Sequence, residues 1–104
     1  MSLLSFLSIG NVQVKAALRK GGLVIDVRTP GEFDQGKIPD SINIPVDIIA
    51  ANAERIKKMN RPIIFCSASD SRSGTAVRIM KERGMKKVYN GGNWQTVLRI
   101  YNSL

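Results

Sequence analysis

The chain has 104 residues, 43% hydrophobic and 23% charged, enough for one soluble domain with a single core of ordinary size. Sixteen Lys and Arg against eight Asp and Glu leave a net charge of +8 and a pI near 10.2, a balance that draws anions from small oxyanions to acidic proteins. One cysteine rules out an internal disulfide framework, the lack of histidine removes a Cys–His dyad and the commonest metal ligand, and no apolar run approaches the roughly 18 residues of a membrane span. No metal, redox cofactor or membrane contact is therefore expected. The basic residues are spread along the chain, mostly at helical spacing, and the 6% of aromatics show no stacking pattern, so nucleic acid is not an expected partner.

In chain order, Met1 to Ile9 lacks the cationic start and small-residue cleavage pattern of an export signal. Residues 1–8 read as an N-terminal extension, part of Met1–Leu3 as a cloning remnant, and the domain as cytoplasmic, a trimmed export signal being the alternative. Asn11 caps a helix through Lys20 with Val14, Ala17 and Leu18 inward, stopped by Gly21-Gly22. Leu23-Val24-Ile25-Asp26-Val27, a short apolar run between Gly-Gly and Thr29-Pro30-Gly31, is a buried strand. A short helix or turn follows at Glu32-Phe33-Asp34, then a brief strand Ile42-Asn43-Ile44. Pro45 opens a helix to about Met59, with Ile48, Ile49, Ala53 and Ile56 at helical spacing. Ile63 to Cys66 is the central strand, Thr75 to Arg83 a helix ending at Gly84, Val88-Tyr89 a strand, Gly91-Gly92 a tight turn, and Trp94 to Tyr101 a closing helix. Strands alternating with helices predict an α/β fold of three layers with a largely parallel sheet and the ligand crevice at the carboxyl ends of its strands.

Cys66 stands at such an end. A lone cysteine after Ile-Ile-Phe is core filler as readily as a nucleophile. The residues after it, Ser67-Ala68-Ser69-Asp70-Ser71-Arg72-Ser73, include no large apolar side chain and run into a helix start. They suit a loop whose N–H groups, with the helix dipole and the Arg72 guanidinium, hold an anion and depress the thiol pKa. Cys66 is accordingly the candidate nucleophile, and Ser67, Ala68, Ser69, Asp70, Ser71, Arg72 and Ser73 are the candidate substrate-binding residues.

Three ordered motifs resemble the rhodanese family of sulfurtransferases: Val24-Ile25-Asp26-Val27-Arg28 with Glu32-Phe33 and Gly36-Lys37-Ile38-Pro39-Asp40-Ser41-Ile42-Asn43-Ile44-Pro45; Cys66 followed by Arg72-Ser73-Gly74-x-Ala76; and Val88-Tyr89-Asn90-Gly91-Gly92-x-Trp94. The resemblance spans residues 9 to 101. It implies a single rhodanese-like domain in which Cys66 takes a sulfane sulfur from a donor such as thiosulfate, becomes a persulfide, and passes the sulfur to cyanide, a thiol or an acceptor protein. Lys37 replaces the family's usual histidine at a position remote from the nucleophile.

A second departure concerns the loop. Family sulfurtransferases have six residues counted from the cysteine, often with Gly fourth and Arg sixth; counted from Cys66, Arg72 is seventh and Ser69 fourth. Seven-position loops resemble the phosphatases and arsenate reductases that share the fold, in which Arg72 would clasp a tetrahedral oxyanion and Asp70 or Ser71 protonate the leaving group. A non-catalytic binding module is the third reading. Outside the loop, Asp26 and Arg28 read as a structural ion pair with Glu32 a plausible partner for Arg28, and Trp94 as a core anchor.

Overall fold

The computed structural model describes residues 9–104, so the expectations for residues 1–8 lie outside it. Four parallel strands, β1 (Leu23–Asp26), β2 (Ile42–Asn43), β3 (Ile63–Ser67) and β4 (Val88–Asn93), stand in the order β2-β1-β3-β4. Among the described residues five α-helices flank them: α1 (Ile9–Arg19), α2 (Pro30–Asp34), α3 (Ala53–Lys58), α4 (Asp70–Glu82) and α5 (Trp94–Asn102). This is the three-layer α/β architecture expected from the alternation of elements.

Strands β1 and β3 are buried along their whole length, which is why both read as unbroken apolar runs. Their side chains still alternate. On one face, Ile25, Ile63 and Phe65 pack with Ile49, Ala53, Ile56, Ala76 and Met80. On the other, Val24, Ile64 and Cys66 pack with Val14 and Ala17 of α1 and Val97 and Ile100 of α5. The sheet thus separates two cores, and the single thiol belongs to the second.

The first helix is already formed at Ile9, so Asn11 lies inside it and does not cap it. Three larger differences from the expectation shape the fold. The helix after Pro45 is broken into two 3-10 turns, Val46–Ile48 and Ala50–Asn52, before α3 begins. The Asn52 amide donates to the Ile48 carbonyl and so competes with continuous helical bonding, and Ile48 is left exposed while Ile49 is buried. Gly91-Gly92 is no turn but part of β4: Phe65 aligns with Asn90 and Cys66 with Gly92, so Gly91 is the extra residue of a bulge. Gly92 has φ +69, and a Cβ there would overlap the Asp70 carboxylate.

The third difference matters most for function. β3 runs one residue further than expected, and α4 begins at Asp70 rather than at Thr75. Ser69 is extended (φ −146, ψ 151) and serves as its N-cap residue; Asp70 favours the positive end of the dipole, and the Thr75 hydroxyl donates back to the Ser71 carbonyl at 2.9 Å. The first turn lacks large apolar residues because Asp70 and Ser71 face solvent. The stretch that reads as a loop is a strand end, a two-residue link at Ala68-Ser69, and a helical turn.

Candidate functional site

The mouth of the sheet is built on a buried ion pair. Asp26 ends β1 with no solvent exposure, and Arg28 grips it with Nε to Oδ1 at 2.9 Å and Nη2 to Oδ2 at 2.7 Å. The remaining guanidinium N–H groups donate to the carbonyls of Glu32 (3.2 Å) and Gly36 (2.6 Å), and the Trp94 ring lies 4.4 Å from the Arg28 carbon. This is the structural ion pair expected of Asp26 and Arg28. Glu32 gives Arg28 its backbone carbonyl, while its carboxylate goes elsewhere.

That carboxylate takes Arg72. Nη1 and Nη2 donate to Oε1 and Oε2 at 3.0 and 3.2 Å, a fork-to-fork contact tying α2 to the first turn of α4. Thr29 and Glu32 also form a capping box at the start of α2. The bond from Arg72, then the Thr29 N–H, hold the Glu32 carboxyl well below its ordinary value, at about 2. Beside this pair an open cleft of ≈ 310 Å³ is lined by Arg28, Glu32, Gln35, Gly36, Ala68 and Trp94.

Cys66 lies beneath the mouth, against the Asp26 carboxylate, and does not line the cleft. Its side chain has no solvent exposure and packs among Val14, Ala17, Ile64, Val97 and Ile100 on the α1/α5 side. Burial first, then the nearby Asp26 carboxylate, push its pKa up, and Arg28 offsets this only in part. In place of the expected depression, burial raises the thiol pKa.

Ser67 follows as the last residue of β3. By strand alternation it points to the side opposite Cys66, the side from which α4 departs. Its hydroxyl is fully buried, and among the described residues it is the one buried side-chain polar group without a hydrogen-bond partner. From Ser67 to Arg72 is six positions, the loop length of the family's sulfurtransferases, with serine first and Asp70 fourth. Counting back from Arg72, instead of forward from the only cysteine, would have found it.

The other candidates scatter. Ala68 lines the cleft, Ser69 and Ser71 share an exposed hydroxyl contact of 3.1 Å, and Asp70 is exposed beside Gly92. Ser73 is buried and donates to the Asn90 side chain at 2.7 Å, which in turn accepts from the Gly92 N–H at 2.9 Å. These bonds brace the bulge of β4 against α4. Among the described residues no cluster of acidic, cysteine or histidine side chains is arranged to hold a metal ion.

The rhodanese-like domain family model matches residues 11–93, and the chain belongs to that family. It is 35% identical over 68 residues to a sulfurtransferase of Allochromatium vinosum, a match covering 65% of this chain and 63% of that one. It is 32% identical over 78 residues to the Bacillus subtilis protein YqhL, covering 75% and 60%. The chain thus spans under two thirds of the length of these two relatives. Among solved structures, a rhodanese from E. coli described with anions superposes with a TM-score of 0.65 at 28% identity, covering 72% of this chain and 89% of that one.

Proposed function

We propose that this chain is a binding member of the rhodanese-like family whose mouth carries out no covalent sulfur transfer. The observation that supports the reading is the exchange of places at the end of β3. Serine occupies the first position of the six ending at Arg72, while the only thiol faces the opposite, apolar core with a raised pKa. A hydroxyl without a base beside it is a poor nucleophile. Arg72, engaged by Glu32, is not turned toward an incoming anion, and Asp70 adds a negative charge at the helix start. The phosphatase and arsenate-reductase reading needs both a thiolate at 66 and a free guanidinium, so it weakens with them.

A second reading is sulfur transfer through a persulfide on Cys66, favoured by the relative named a sulfurtransferase and by the Arg72-Ser73-Gly74-x-Ala76 helix start. The Cys66 thiolate would attack the outer sulfur of thiosulfate, sulfite would leave with the bonding electron pair, and a thiol or cyanide would remove the sulfur. It requires the end of β3 to detach from β4 and turn the thiol outward.

Intact-mass measurement after incubation with thiosulfate separates the two. The expected result is no added sulfur on the native chain, and a cyanide-labile adduct of one sulfur atom overturns the binding reading. The variant Ser67→Cys in a Cys66→Ala background places a thiol where the family's loop begins, and it should gain the adduct that the native chain lacks.

A further inference from the structure

The four strands of the described residues are all parallel, so the chain enters each from the same end of the molecule, opposite the mouth. There the last turns of α1, α3 and α4 and the two links 59–62 and 83–87 come together. They bring Arg19, Lys20, Lys57, Lys58, Arg61, Lys81, Arg83, Lys86 and Lys87 to one end. At the other end Asp26, Glu32, Asp34, Asp47 and Asp70 lie at or beyond the carboxyl ends of the strands, together with Arg28, Lys37 and Arg72, while Glu82, in the last turn of α4, stays at the basic end. Two adjoining clefts, of ≈ 310 and ≈ 440 Å³, cross the basic end and share Asn60, Pro62 and Lys87. Lys57, Arg61 and Lys86 line the first and Lys20 the second, and neither is lined by any Asp or Glu.

Basic residues in the last turn of a helix offset its dipole, which accounts for Arg19, Lys57 and Lys81. It does not account for Arg61, Lys86 and Lys87, which lie outside the helices. Lys57 shares Glu54 at 3.6 Å on an exposed face, and Arg61 spends Nε on the Gly21 carbonyl at 2.8 Å.

We propose that this groove is a docking surface for an acidic polypeptide segment, one rich in Asp and Glu, of a partner protein. Lys20, Lys57, Lys86 and Lys87 offer compact ammonium charges along a continuous trough, a match for carboxylates spaced along an extended chain. Nucleic acid fits less well, because Tyr89 is the only aromatic lining either cleft and the Arg61 fork is occupied by backbone.

The test is fluorescence anisotropy of a labelled oligoglutamate peptide titrated with the intact chain, with duplex DNA of equal net charge as competitor. The peptide is expected to bind, and the reversals Lys57→Glu, Lys86→Glu and Lys87→Glu together should weaken it at least about tenfold, whereas Lys37→Glu at the mouth end changes affinity less than about twofold. All four residues are exposed, and a thermal melt of each variant checks that folding is kept. No binding, equal losses from both ends, or DNA that displaces the peptide at lower concentration would each overturn the proposal. Sulfur loading is read separately by mass, so the fate of the mouth does not decide the fate of the groove.

Discussion

Replacing Cys66 separates packing from chemistry, because the thiol sits among Val14, Ile64, Val97 and Ile100 with the Asp26 carboxylate nearby. Cys66→Ala leaves a small void and should cost about 1 kcal/mol, read as a shift in the urea midpoint. The linkage is the sharper test. A thiol whose pKa is raised above its ordinary value of 9.0 keeps its proton longer in the folded chain than in the unfolded one. Its contribution to stability is full below pH 9.0 and declines as pH rises beyond that value. Above that point the native chain should lose stability relative to Cys66→Ala, by up to about 1.4 kcal/mol per pH unit. Parallel pH profiles would argue against a buried neutral thiol. At the same end of β1, Asp26→Asn leaves Arg28 buried at 4% exposure with its charge partner gone, and should cost about 3–5 kcal/mol in the same measurement.

A bidentate pair, Glu32 with Arg72, ties α2 to α4, and its pH dependence has the opposite sign. Glu32 is lowered from 4.5 to about 2, so its contribution is complete above pH 4.5 and is lost as pH falls toward 2. Both side chains are about a third exposed, which limits the effect to about 1 kcal/mol. Glu32→Gln should remove that amount at neutral pH and flatten the acid limb of the stability profile; an unchanged acid limb would mean that the pair contributes nothing. Elements of this kind divide into those the sequence announces and those it hides. The buried strands were legible because Leu23-Val24-Ile25 and Ile63-Ile64-Phe65 are apolar runs bounded by turn residues. The start of α4 was not, because Asp70-Ser71-Arg72-Ser73 has no apolar face. The orientation of Cys66 was hidden for a related reason. In a strand covered on both faces, apolar residues fill every position, and the alternation that would assign the thiol to one core disappears.

At the scale of the whole molecule the charges that look dispersed along the chain are gathered by topology. Arg19, Lys57, Arg61, Lys81 and Lys87 are far apart in sequence, yet a parallel sheet returns each connection to the same end. No local pattern could reveal this, since it depends on every strand running in one direction. The consequence is self-repulsion within the folded state as well as attraction for acidic partners. Exposed charges a few ångströms apart repel through water, and salt at about 0.2 M shortens the reach of that repulsion to roughly 7–8 Å. Raising salt from about 0.02 to 0.2 M should therefore raise the thermal midpoint, by a few degrees for a domain of this size. Lys87→Glu sits between Lys86, Arg61 and Lys20 along the shared wall of the two clefts, so it should raise the low-salt midpoint and reduce the salt increment together. Lys37→Glu, beside Phe33 at the other end, should leave the increment as it was. Were both variants to change it equally, the net charge of +8 alone would explain the response, and the concentration of charge at one end would have no separate energetic meaning.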